Sequence, residues 1–459
     1  MRCLVVSFHF PPDPAIGAVR VAGIVDALMR AGHEVRVVSA AQPVPACQTP
    51  IGFGDVRRPT WFDVSTLRFI RTRPATRAPN AERSHSVSPP PVSRAPRASA
   101  CGELARRSSR TIAGWRAPGS TPRAFLANFR AALVEHPDAM MGWIPSAVRE
   151  AEKACRTWDC DLVFSSGPPF SGHIVASIIA RELGIPWVAD YRDLWTSGTY
   201  YDRPNWRRKL DRALERSLLA SASLATTVSE PLAQDLRRDF GVRTEAVLNG
   251  YDDVALAELA DRTPLSDARL NLLFVGNSLY GGRRSPVPLF DSAFRQRLGP
   301  RDIRFHFLGT DSQLVLKMAA DAGVRDLVEV HPATSRTGSL AMQSRADALL
   351  LLMWNDPGEA GVYSGKIYEY IAVKRPIIYV GFPEGVAATL VDSRGLGWVV
   401  SSAASADAAL SAALAVKPSS TLLPDLDPWR SEGLDRRTQT DRLVSMLEDA
   451  QRTHGRAVQ

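Results

Sequence analysis

The sequence predicts an α/β protein built from two consecutive doubly wound domains. Three observations carry that expectation. Short apolar runs recur along the chain, each followed by a turn and then by apolar residues at helical spacing. The series ends near residue 250 and restarts after 265. At 459 residues the chain is also too long for one ordinary core.

Residues 3–8 (CLVVSF) form an apolar run of the kind that is buried on both faces of a parallel sheet. A turn rich in proline follows. Val21, Ile24, Val25, Leu28 and Met29 then recur at one helical face, Gly32 stops the helix, and residues 34–39 (EVRVVS) read as the next strand. Right-handed crossover makes this βαβ unit the edge of a doubly wound sheet. From about 41 to 140 the pattern dissolves, and a basic, largely disordered insertion is expected over about 50–135. Order returns near Trp143. Strands are expected at 161–165, 186–190 and 224–228, with helices at 173–183, 205–220 and 230–240. These complete an N-terminal domain over 1–250. In a second domain, 265–425, strands are expected at 271–275, 303–308, 327–331, 348–353, 376–380 and 397–400. Residues 426–459 read as a C-terminal helix that packs back on the first domain.

A content of 45% hydrophobic and 23% charged residues belongs to a globular protein and excludes global disorder. No run of about 18 apolar residues exists to cross a membrane. The opening MRCLVVSFHFPP makes a poor signal peptide, because its apolar run is short and closes on Pro11-Pro12. Five cysteines without metal-ligand spacing read as free thiols of a cytoplasmic protein. The net charge of +8 is local. Between Arg57 and Arg123 lie 14 Arg and no Lys against Asp63, Glu82 and Glu103, so that segment carries +11 and the remainder −3. A mildly acidic globule with one basic segment argues against nucleic acid as a partner.

Three stretches carry phosphate chemistry. In HFPPDPAIGAVR, Gly17 opens a helix and Arg20 lies one turn inside, so an anion can approach backbone N–H groups. In FVGNSLYGGRRSP, Gly276, Gly281 and Gly282 form a permissive loop that ends on Arg283 and Arg284, two guanidinium forks suited to a diphosphate. In SGKIYEYIAVKRPIIYV, Ser364 caps a helix that carries Lys366 and Glu369 on one face. There a carboxylate can accept from ribose hydroxyls while the ammonium holds phosphate. Asp190 and Asp193 are expected at a strand end facing the interdomain cleft, to hydrogen-bond or orient an acceptor, with Trp195 as a sugar platform. His173 and His9 are further candidates there, although a lone histidine is more often structural. No metal site emerges: the chain's D-x-D, Asp425-Leu426-Asp427, falls in the C-terminal linker.

The opening FPPDPAIGAVRVAGIVDALMRAGHEVRVVS, then TTVSEPLA, LNGYD and SGKIYEYIAVKRPII, in this order and spacing, resemble a family-4 glycosyltransferase of the two-domain GT-B fold. The resemblance covers about 1–45 and 140–400. It implies a retaining transfer of a sugar from a nucleotide-diphosphate donor, without cofactor or catalytic metal. The C-terminal domain then binds the nucleotide and the N-terminal domain the acceptor. By the same resemblance, Glu369 matches the second Glu of an E-x7-E pattern that binds the donor ribose, and Gly17 faces the donor phosphate. Arg283 or Arg284 stabilises the leaving diphosphate, and Lys366 contacts the donor. Two positions depart from the pattern: Gly361 stands where the first Glu falls, and Asn277, on the donor side, stands where an Arg often follows F-V-G. Taken with the residue reading above, the candidate catalytic set is Arg284, Lys366 and Asp193, with Asp190, Trp195 and His173 on the acceptor.

The expected role is assembly of a bacterial surface polysaccharide or glycolipid on a glycan or lipid-linked acceptor. Two other classes remain open, a nucleotide-sugar epimerase of the same fold and a non-catalytic GT-B scaffold. For the basic segment, peripheral contact with the anionic inner face of the membrane stands beside a solvated insertion without a role.

Overall fold

The computed structural model describes residues 1–13, 15–40, 67–72, 136–201, 203–252, 261–417 and 422–458. The first domain is built on a seven-stranded, all-parallel sheet of order β3-β2-β1-β4-β5-β6-β7. Its strands are β1 (Arg2–Val6), β2 (Glu34–Ala40), β3 (Leu67–Thr72), β4 (Leu162–Gly167), β5 (Trp187–Tyr191), β6 (Leu224–Thr227) and β7 (Thr244–Ala246). The connecting helices are α1 (Ile16–Arg30), α2 (Ile144–Arg156), α3 (Ser171–Leu183), α4 (Asn205–Leu219) and α5 (Glu230–Phe240).

The continuous apolar run of β1 makes sense in its position, because it lies third in the sheet rather than at an edge. Cys3 and Val5 enter the core on one face, and Leu4 and Val6 enter the core on the other. The expected edge placement of the first βαβ unit is thus corrected. The edge belongs to β3, which pairs in register with β2 from Val35–Leu67 to Ala40–Thr72. This strand lies inside the stretch expected to be without pattern. Most of the basic segment, including Trp61, Phe62 and Trp115, lies outside the described residues, as do Cys47 and Cys101. The described cysteines, Cys3, Cys155 and Cys160, are free thiols.

The second domain carries a six-stranded parallel sheet of order β10-β9-β8-β11-β12-β13. Its strands are β8 (Leu270–Val275), β9 (Ile303–Leu308), β10 (Val328–His331), β11 (Ala348–Leu352), β12 (Ile377–Val380) and β13 (Gly397–Val400). Helices α6 (Val287–Arg295), α7 (Ser312–Asp321), α8 (Arg336–Ser344), α9 (Gly365–Ala372), α10 (Val386–Ser393) and α11 (Ala403–Val416) cover its two faces. Leu270, Leu272 and Phe274 of β8 face one core, and Leu273 and Val275 face the other. A last helix, α12 (Arg436–Val458), returns to the first domain. Its Leu443, Val444, Leu447 and Ala450 join the core of Val21, Ile24 and Leu28 from α1. Among the described residues no helix is long and apolar enough to cross a membrane.

Two of the sequence motifs act at the domain junction. In TTVSEPLA, the Ser229 hydroxyl donates to the Gly361 carbonyl at 2.6 Å. In LNGYD, Tyr251 accepts from the Arg436 amide at 2.7 Å and donates its own amide to Leu434 at 3.1 Å. A Cβ at Gly361 would lie 2.8 Å from the Leu232 side chain. At this glycine α5 packs closely on the second domain.

Candidate active site

Because every strand runs parallel, the loops after β1, β4, β5 and β6 gather at one end of the first sheet and face the second domain. Between them lies a cleft of about 390 Å³. Gly17, Arg192 and Asp193 line one wall, and Gly365, Tyr368 and Glu369 of the second domain line the other. Both sheets therefore contribute their carboxyl ends to one cavity, large enough for a small ligand.

The second-domain wall has the geometry expected of the SGK segment. The Ser364 hydroxyl accepts from the Lys366 amide at 3.4 Å and caps α9. The Lys366 ammonium meets the Glu369 carboxylate at 2.8 Å, and Gln343 reaches the same oxygen at 3.5 Å. Glu369 is thus held in place with one face open to the cleft.

On the opposite wall, Gly17 sits in the first turn of α1, where Ala15 at the N-cap position offers no side-chain cap. A Cβ at Gly17 would overlap the guanidinium of Arg192. That guanidinium donates to the Pro168 carbonyl, and its buried Nη1 has no hydrogen-bond partner among the described residues. Burial lowers the Arg192 pKa, opposed by the charges of Asp190 and Asp193. A helix N-terminus and an unspent cationic donor converge here, an arrangement that suits a phosphate. Sequence reasoning passed over Arg192 because its apposition to Gly17 is a long-range contact. Its place straight after β5, beside Asp193, was the available signal.

Asp193 is exposed at the cleft. The charge of Arg192 beside it favours the ionised carboxylate. His9 also faces the cleft, and its Nδ1 lies 2.5 Å from the Asp13 carboxylate. Burial alone would raise the Asp13 pKa, but the hydrogen bond and charge of His9 outweigh it and hold the group below its ordinary value.

Three acceptor candidates are corrected. Trp195 is 4% exposed and stacks on Phe170 at 5.0 Å in the core, so it offers no sugar platform. His173 is fully buried, with Nδ1 at 2.8 Å from the Ser165 hydroxyl. Burial pushes its imidazole down to about 3, which keeps it neutral and structural. Asp190 is fully buried as well. It takes two bonds from Arg20, at 2.8 and 3.1 Å, and one each from Ser166 and Thr226, both at 2.8 Å. Burial would raise its pKa, but Arg20 and the two hydroxyls outweigh that and lower it. Arg20 borders the cleft, yet its donors are spent on Asp190, on the Val247 and Leu248 carbonyls and on Asn249. The pair braces α1, β5 and the loop after β7; it leaves no free fork for a donor.

The loop after β8 turns through Gly281 and Gly282 at φ +66° and +90°, conformations that glycine adopts without strain. Asn277 and Arg283 are exposed on it, and the Arg283 guanidinium lies 4.7 Å over Trp354. Arg284 is more enclosed. Its guanidinium stands 4.4 Å over Tyr280 and 3.6 Å from Glu359. The Glu359 side chain is 1% exposed, and its oxygens have no hydrogen-bond partner among the described residues. Burial pushes that carboxyl up to about 7. The structure therefore places Arg284 beside the segment that carries Gly361.

The glycosyl transferase 4-like domain model matches residues 17–250, half of the chain. The chain belongs to that family of glycosyltransferases. Its two sheets and interleaved helices are those of the GT-B fold, shared with solved structures at low identity. Sucrose-phosphate synthase from Thermosynechococcus elongatus is 14% identical, with a TM-score of 0.53, and 100% of this chain and 98% of that one are covered. Anabaena HepE in complex with UDP is 11% identical at 0.53, covering 100% and 99%. A glycosyltransferase from Rickettsia africae is 12% identical at 0.54, covering 98% of each chain. No curated protein matches the sequence.

Proposed function

We propose that this glycosyltransferase is a retaining enzyme. On this reading it moves a sugar from a nucleotide-diphosphate donor to a glycan or lipid-linked acceptor, in bacterial surface-polysaccharide synthesis at the cytoplasmic face of the membrane. The observation that carries the donor assignment is Glu369, held by Lys366 in one wall of a cleft whose other wall presents Gly17 and the unspent Nη1 of Arg192. The ribose hydroxyls donate to Glu369, and the diphosphate lies between α9 and the start of α1. HepE, a protein of the same fold, was solved in complex with UDP, which supports a nucleotide donor.

In front-face transfer the bond from the anomeric carbon to the diphosphate oxygen breaks while the acceptor oxygen bonds to the same face. The acceptor proton passes to the departing phosphate. The protein then supplies position and charge. Arg192 and Lys366 hold the diphosphate, Arg284 and Arg283 approach it from the loop after β8, and Asp193 orients the acceptor. These cations take the neutralising role that a divalent ion would otherwise fill.

One observation favours a second reading. The His9–Asp13 pair in the cleft is the arrangement a general base needs, and a base-assisted attack inverts the anomeric centre. The anomeric configuration of the first-formed product, read by NMR, decides between the two. The donor assignment is tested by a thermal-shift panel of UDP-, GDP- and ADP-sugars. One base should raise the melting temperature, as ligand at 100 times its Kd adds about 2.7 kcal/mol. No shift with any nucleotide would overturn the reading, and epimerised donor without transfer would point to an epimerase.

A further inference from the structure

On the outer edge of the second sheet, away from the cleft residues, three ligand-type side chains converge. Glu329 of β10 pairs in register with His306 of β9, and His331 lies two residues further along the same strand face. The His306 Nδ1 lies 3.0 Å from the His331 Nε2 and 3.6 Å from one Glu329 oxygen, and the other Glu329 oxygen is 3.9 Å from the His331 Nε2.

We propose that the His306 Nδ1, the His331 Nε2 and the Glu329 carboxylate form a binding site for a divalent transition metal of the zinc class, with solvent as the fourth ligand. Ligands held at about 2.0–2.1 Å around a tetrahedral zinc stand roughly 3.3–3.4 Å apart. The three separations of 3.0, 3.6 and 3.9 Å bracket that value, so small side-chain shifts complete the triangle.

A second layer orients the buried ligand. The Asn271 amide nitrogen donates to the Ser266 and Ala268 carbonyls at 3.4 and 3.1 Å, which fixes the amide so that its oxygen faces His306. That oxygen lies 3.0 Å from the His306 Nε2, so Nε2 carries the proton and Nδ1 presents its lone pair to the cluster. Arg304, the nearby cation on β9, donates to the Asp326 carbonyl at 2.5 Å. The side chains grade from 0% exposure at His306 through 24% at His331 to 49% at Glu329, which leaves the outer side open to solvent. Imidazole and carboxylate together suit zinc and its neighbours rather than magnesium or calcium. The site clamps the edge strand β10 to β9. The Gly309 amide donates to the His331 carbonyl at 3.0 Å, so the clamp also secures the loop after β9.

The test uses the full chain, stripped of metal by chelator and dialysed. Zinc titrated by calorimetry should bind the wild type with a stoichiometry of one at this site and raise its melting temperature. His331→Ala and Glu329→Gln change side chains at the outer edge and should keep the apo melting temperature. They should weaken zinc binding about a hundredfold and abolish the thermal shift. Cobalt substitution should give tetrahedral d–d bands without thiolate charge transfer, which separates this site from Cys155 and Cys160. Nucleotide binding should be the same in the variants, so the outcome is independent of the donor assignment. Equal zinc affinity in wild type and His331→Ala, or a thiolate band in the cobalt spectrum, would overturn the proposal.

Discussion

The buried carboxyl of Glu359 makes the stability of the second domain depend on pH in a direction opposite to that of most carboxylates. Its ordinary value of 4.5 is raised to about 7 by burial. A raised value means that the folded state holds the proton more tightly. The associated stability is fully present below pH 4.5 and is lost as pH rises through 7. At about 1.36 kcal/mol per pKa unit the effect is at most about 3 kcal/mol. Arg284, 3.6 Å away, favours the ionised carboxylate and sets this as the upper limit. Glu359→Gln removes the titration and keeps the shape. Thermal unfolding of variant and wild type should give similar midpoints near pH 5. Near pH 8 the variant should melt higher by several degrees, at roughly 2–4 °C per kcal/mol for a domain of this size. A wild type that melts at or above the variant at pH 8 would refute the reasoning. It would show that the Arg284 pair outweighs the cost of burying the charge.

Three further outcomes follow from the same contacts. Asp190→Asn leaves Arg20 buried without its counter-charge, and should cost about 3–5 kcal/mol, read as a lower melting temperature of the first domain. Sugar transfer should persist in excess EDTA if Arg283, Arg284 and Lys366 neutralise the diphosphate as proposed; complete loss restored by Mg²⁺ or Mn²⁺ would remove that mechanism. Deleting residues 74–123 should spare donor binding but reduce sedimentation with anionic vesicles, most visibly at low salt, and equal sedimentation would show that this segment makes no membrane contact.

The parallel strands were legible because each is a short apolar run buried on both faces, as in β1 and β8. Two strands escaped. β3 (LRFIRT) lies in an Arg- and Pro-rich stretch whose composition reads as unstructured, and β7 is three residues long. The Lys366–Glu369 pair was legible because helical spacing alone puts three-apart residues on one face. The acceptor wall was misread for a different reason. Sequence shows that Asp190, His173 and Trp195 lie near strand ends or helix starts, but not which way each side chain turns. Asp190 turns toward Arg20, 170 positions earlier, and Trp195 toward Phe170. The packing of Arg192 on Gly17 and of Gly361 on Leu232 is equally non-local, and local spacing carries no trace of it.

The central claim is that Glu369 holds the donor and Arg284 stabilises its departing diphosphate. Steady-state transfer kinetics with the nucleotide sugar selected by thermal shift test it most directly. Glu369→Ala should raise KM with a smaller change in kcat, because the ribose contact is present in the ground state. Arg284→Ala should lower kcat by roughly 10²–10³, the scale of one lost transition-state contact of about 3–4 kcal/mol, with KM little changed. Wild-type kcat and KM in both variants, with the fold intact, would contradict the account.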